Sequence, residues 1–164
     1  MQHSDDEQLP DELTDDARQP AAEDAVRSLQ GRVMAMSVPE KVKLATMGNR
    51  EARGLLIRDA NRTVVQAVLD SPRLTEEEVV AFAANRNLPA DVPRMIAEKK
   101  EYLRHYAVRV ALVNNAKTPV PTALKLLDAI REHDLKGIAK NRNIPSVVSQ
   151  AAQRALARRN TRRG

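Results

Sequence analysis

Arginine follows asparagine four times in this chain, at Arg50, Arg62, Arg86 and Arg142. Two of these pairs belong to a longer repeat: "AANRNLPADV" at Ala83–Val92 returns as "AKNRNIPSVV" at Ala139–Val148, 56 positions later. A guanidinium presents its N–H donors in a planar fork that fits carboxylates and phosphates. If the joints recur in register, these arginines form a positive ladder, with Lys117 on the neighbouring rim. Such a ladder suits an acidic peptide or a phosphate backbone. Arg50, Arg62, Arg86, Lys117 and Arg142 are therefore the candidate partner-binding residues. The letters around them are explained by helix-end chemistry. Asn tolerates a left-handed helix end, Pro restarts the next helix, and Leu88 or Ile144 plugs the groove between helices.

Residues that could carry a reaction are sparse. His3, His105 and His133 lack metal-ligand spacing, and His133 beside Asp134 does not face it on a helix. The five glycines are scattered singly, so no phosphate loop is written. No serine has nucleophile-elbow context, and Glu76–Glu78 fits helix-start chemistry better than acid/base work. Tyr102, His105 and Tyr106 are too few to make a stacking platform for bases, and Tyr106 lies on an apolar stripe that reads as core. No catalytic, cofactor-binding or metal residue is assigned. A non-enzymatic protein without a cofactor is expected.

The elements that position these residues follow from composition. Apolar residues make up 42% of the chain, but only one Phe and two Tyr are present, with no Trp. An aliphatic core of that kind favours short, closely packed helices over a sandwich. There is no cysteine, no secretory leader pattern and no apolar run long enough for a membrane span, which gives a cytoplasmic expectation. Charge is divided unevenly. Residues 1–30 hold nine acidic and two basic side chains, whereas residues 31–164 hold 13 acidic and 25 basic. The acidic, proline-containing beginning cannot bury enough surface to offset its ordering entropy. Residues 1–36 are read as a disordered acidic tail, with room for a short helix near Ala21–Gln30. Residues 37–158 are read as the folded domain and 159–164 as a basic end.

Helix signals begin at Ser37, where "SVPE" is a capping box; Thr75 with Glu78 is a second. Apolar periodicity predicts about nine short helices and no strand. One of them is a single amphipathic helix over Glu101–Val113, and another is capped by Thr118 ahead of Pro119. "VVQAVLDSPRLT" (Val64–Thr75) aligns with "RVALVNNAKTP" (Arg109–Pro119) at an offset of 44, which grows to 56 at the Asn-Arg-Asn motif. The second half has thus gained 12 residues, the size of a short helix and a turn.

The phrases "VRVALVNNAKTPVPTALKLL" and "VVQAVLDSPRLTEEEVVAFA" resemble leucine-rich repeat variant and HEAT/armadillo-type helical repeats. The resemblance covers about Val38–Arg158, although the spacing is irregular and Leu74–Thr75 replaces the Thr-Pro step in the first half. It implies an all-α, right-handed α-solenoid whose surface binds a partner. The expected function is an adaptor or scaffold that holds a partner protein or acidic segment. The alternative is binding to a nucleic-acid backbone through the same basic surface. A base-excision enzyme on a HEAT-like stack is a third, weaker reading, because no catalytic Asp setting is recognisable.

Overall fold

The computed structural model describes residues 23–164, with side chains from Ser28 onward. Among the described residues are eleven helices and no strand. In chain order they are α1 (Glu23–Ala35), α2 (Val38–Met47), α3 (Arg50–Leu56), α4 (Arg62–Leu69), α5 (Glu76–Ala84) and α6 (Asp91–Glu98). There follow α7 (Lys100–Leu103), α8 (Tyr106–Val113), α9 (Val120–Leu127), α10 (Glu132–Lys140) and α11 (Ser146–Thr161). The chain divides into two compact units, the first ending at Leu74 and the second covering Thr75–Gly164.

Side-chain caps start four of these helices, α2 to α5. The Ser37 hydroxyl accepts the Glu40 amide at 3.4 Å, and the Glu40 carboxylate accepts the Ser37 amide. Thr75 and Glu78 repeat the exchange at 3.3 and 3.0 Å. Each pair satisfies amide groups that a first helical turn leaves open.

The C-terminal ends are closed in an unexpected way. No described residue, glycine included, has a positive φ. Asn85 and Asn141 end α5 and α10 in extended geometry, with ψ of 107° and 115°. The left-handed ends expected of these asparagines are therefore absent. Gly48, which ends α2 at φ −73°, is needed for space instead. A Cβ there would lie 2.5 Å from the Leu44 carbonyl oxygen and 2.8 Å from the Ala52 Cβ.

The core is aliphatic, as the composition requires. In the first unit Leu44, Leu56, Ile57 and Leu69 are fully buried; in the second, Leu88, Ile96, Leu112, Ile130, Leu135 and Ile138 are. In the first unit α2 packs on α4 and α1 on α3; in the second α5 packs on α8, and α11 on both α9 and α10. Helices this short owe their stability to such packing rather than to propensity.

Four boundaries differ from the sequence reading. Ordered structure begins before Ser37, because α1 buries Leu29 and Val33; the rest of the expected tail, residues 1–22, lies outside the described residues. At the other end α11 continues past Arg158 to Thr161. The expected helix over Glu101–Val113 is two helices, since His105 leaves helical geometry at ψ 118° and its imidazole meets Glu76 at 2.9 Å. Thr118 does not cap α9: its hydroxyl is buried without a hydrogen-bond partner, and Pro119 takes the cap position. The 12-residue gain is visible as predicted. One helix, α5, lies between the joints at Ser71 and Asn85, whereas two, α9 and α10, lie between those at Asn115 and Asn141.

Candidate partner-binding edge

Four joints share one five-residue turn: Ser71–Thr75, Asn85–Pro89, Asn115–Pro119 and Asn141–Pro145. In each, the first side chain accepts the amide two residues on. The distances are 3.4 Å for Ser71 to Arg73, 2.9 Å for Asn85 to Asn87, 2.9 Å for Asn115 to Lys117 and 2.8 Å for Asn141 to Asn143. This closure lets Asn and Ser stop a helix without a left-handed residue. The fourth residue turns inward, so that Leu88, Thr118 and Ile144 are 1%, 3% and 7% exposed.

Each of three joints reaches a preceding one. A helix leaves its last carbonyls without intrahelical partners, and in helices of about eight residues those carbonyls are half of the total. Ser71 and Arg73 donate to the carbonyls of Thr46 and Met47 at 3.4 and 3.0 Å. Asn115 and Lys117 donate to those of Ala83 and Leu88 at 2.8 and 2.7 Å. Asn141 donates to the Asn114 side chain at 3.0 Å. The C-terminal ends of α2 and α4 thus meet in the first unit, and those of α5, α8 and α10 follow one another in the second. The joints at Asn85, Asn115 and Asn141 form a continuous edge. Other cations close helix ends in the same manner: Arg53 on Gly48, Arg109 on Leu103 and Arg159 on Ile130, at 2.7, 2.7 and 2.8 Å.

The five sequence-predicted residues separate into three groups. Arg86 and Arg142 hold the second place of matching turns on the edge of the second unit. Both are exposed, and neither has a hydrogen-bond or ion-pair partner among the described residues. Lys117 lies between their joints, but its ammonium is engaged by the Leu88 carbonyl. Arg50 and Arg62 stand at the first position of α3 and α4, behind the caps Asn49 and Asn61. Those asparagines accept the amides of Ala52 and Thr63 at 3.0 and 2.8 Å, so they start helices, whereas Asn85 and Asn141 end them. Arg62 is also at the far end of α4 from the Ser71 joint, about 12 Å along its axis. A single ladder of four equivalent Asn-Arg joints is therefore not what the chain builds.

Tyr106, His105 and Glu76, raised earlier as bearers of chemistry, link helices. The Tyr106 hydroxyl donates to Asp134 at 2.5 Å and accepts the Arg131 amide at 3.0 Å, while the Arg131 guanidinium lies 4.3 Å from the ring centroid. Burial first, and the Asp134 carboxylate next, hold the phenol above its usual pKa. In the first unit a cleft of about 400 Å³, lined by Val33, Met34, Leu55 and Leu56, carries the Lys41–Asp59 ion pair (2.7 Å) on its wall. No group of His, Cys, Asp and Glu among the described residues is arranged to hold a metal, and no helix there is long and apolar enough to cross a membrane.

Sequence reasoning passed over the structural roles of Arg73, Arg109, Asn115 and Arg159. Asn115 left a signal in the Asn-x-Lys spacing that matches Asn85-x-Asn87, and Arg73 in its match to Lys117 at the offset of 44. Comparison of the chain with protein-family models, with curated proteins and with solved structures gives no match.

Proposed function

We propose that the protein is a non-enzymatic helical-repeat adaptor that holds an acidic segment of a partner protein along the joint edge of its second unit. The observation that carries this is the contrast between neighbouring positions of one turn. Cations at the third place, Arg73 and Lys117, are consumed on backbone carbonyls, of Met47 at the end of α2 and of Leu88 in the preceding joint. Those at the second place, Arg86 and Arg142, complement the negative ends of α5 and α10 but make no hydrogen bond or ion pair among the described residues. A solvated guanidinium held on a rigid turn is preorganised for a carboxylate, and two on one edge favour a ligand that extends along it. The repeated meeting of helix C-termini, α2 with α4 and α5 with α8, supports a stack of the HEAT/armadillo kind, in which equivalent helices run parallel.

The test is fluorescence anisotropy with a short Asp/Glu-rich peptide at low ionic strength. The double variant Arg86→Gln/Arg142→Gln is expected to weaken binding about tenfold, since each exposed charge pair contributes up to about 1 kcal/mol. Unchanged affinity in a folded double variant would remove the joint edge as the site. Loss of DNA binding without loss of peptide binding would transfer the edge to a phosphate ligand.

A further inference from the structure

After Asp134 the chain contains no acidic residue, while eight cations follow: Lys136, Lys140, Arg142, Arg154, Arg158, Arg159, Arg162 and Arg163. Five of these belong to α11 and the residues just beyond it. The helix buries Val148, Ala152 and Ala155 along one stripe. From the same side Arg159 donates to the carbonyls of Ile130 and Asp128 at 2.8 and 3.3 Å, and Gln153 to that of Ala139 at 3.1 Å. Arg163 pairs with Glu132 at 2.8 Å. Those contacts seat the helix on its neighbours.

Arg154, Arg158 and Arg162 lie outside that set. They recur every fourth residue, about 6 Å apart along the axis, and so form one row on the solvent flank. All three are exposed, and no hydrogen bond or ion pair reaches their guanidinium groups from the described residues. Like charges four apart destabilise a helix by a few tenths of a kcal/mol each. The negative end of the helix favours Arg158 and Arg162, but Arg154 lies before the last turn, so helix formation alone does not explain the row.

We infer that this flank of α11 binds the phosphate backbone of double-helical nucleic acid. Three features select that ligand. The guanidinium fork matches phosphate oxygens. The other exposed residues of the helix are small or polar, Gln150, Ala157 and Asn160 among them, with Val147 near its start, so a ligand on the row is recognised by regular charge rather than by apolar pockets. No aromatic residue follows Tyr106, so nothing on this flank stacks on the splayed bases that single-strand binders use. The 30 residues after Asp134 contain no acid, and the neighbouring Glu132 pairs with Arg163 rather than with the row, so the excess positive charge on this flank steers a polyanion toward it. The inference is independent of the joint edge and adds a second surface to it.

The experiment is a salt series of binding to a short double-stranded DNA, for the full chain and for Arg154→Gln/Arg158→Gln/Arg162→Gln. Removing three phosphate contacts is expected to flatten the slope of log K against log salt by about 2.7, and to weaken binding about 100-fold or more near 0.1 M salt. Far-ultraviolet circular dichroism establishes that the triple variant keeps its helices. An unchanged slope overturns the inference. So does an equal loss of affinity for the Asp/Glu-rich peptide, which would make the flank a general acidic-ligand surface. A slope flattened only by Arg86→Gln/Arg142→Gln also overturns it, and places the nucleic acid on the joint edge.

Discussion

Arg86 and Lys117 show how two cations in the same turn acquire different roles. Lys117 follows its asparagine by two residues, which aims the ammonium at the preceding joint; Arg86 follows by one and points away from any carbonyl partner. Asn115 binds in both directions, accepting the Lys117 amide and donating to Ala83 while only 2% exposed. Replacing it with Ala strands the Ala83 carbonyl in a buried setting. The expected cost is about 2–3 kcal/mol, against about 1 kcal/mol for Lys117→Met and less than about 0.5 kcal/mol for Arg86→Gln. Urea denaturation measures all three. A cost for Arg86→Gln as large as that of Lys117→Met would give Arg86 a structural role and weaken the proposed function.

At the scale of elements, the two capping boxes were legible, whereas the beginnings of α8 and α9 and the helix ends were not. Ser37–Glu40 and Thr75–Glu78 are local exchanges within one turn, so four residues are enough to read them. The ends depend on partners that are remote in sequence, such as Met47 for Arg73 and Leu88 for Lys117. No local pattern announces those. The split at His105 likewise involves a remote partner, since its imidazole meets Glu76 on another helix. The ladder failed because Asn-Arg is written identically where Asn starts a helix and where it ends one; only the residues that follow, Glu-Ala or Thr-Val against Asn-x-Pro, tell the two apart. The Lys41–Asp59 pair carries a prediction of its own. Burial opposes the Asp59 carboxylate, but the Lys41 ammonium and the Asn61 amide outweigh it and hold the carboxyl below its usual value. A lowered folded pKa gives stability that is present above the unfolded value near 4, and lost as pH falls through the folded value. Urea midpoints measured from neutral to acid pH are expected to fall more steeply for the native chain than for Asp59→Asn. Parallel profiles would show that the pair contributes nothing to acid stability.

At the scale of the whole molecule, part of the positive charge is architectural. A chain of short helices without left-handed caps has many open carbonyls, and Arg53, Arg73, Arg109, Lys117 and Arg159 close them. The cations that remain on the surface include Arg86, Arg142 and the outer flank of α11, with Arg50 and Arg62 in the first unit, beside others such as Lys43, Arg58 and Lys125. Residues 1–22 carry seven acidic side chains against one basic. By charge alone they compete with an acidic ligand, so removing them is expected to raise affinity for the Asp/Glu-rich peptide at low salt, an effect that salt abolishes. The cut belongs at residue 22, because α1 supplies Leu29 and Val33 to the core. Equal affinities of the full and shortened chains at low salt would exclude that competition.

The joint edge itself is tested most directly by an amide-resolved NMR titration of the full chain with the Asp/Glu-rich peptide. The expected result is a set of shifts concentrated in Asn85–Pro89, Asn115–Pro119 and Asn141–Pro145, and abolished in Arg86→Gln/Arg142→Gln. Shifts confined to other segments, or unchanged by the double substitution, would contradict the proposed function.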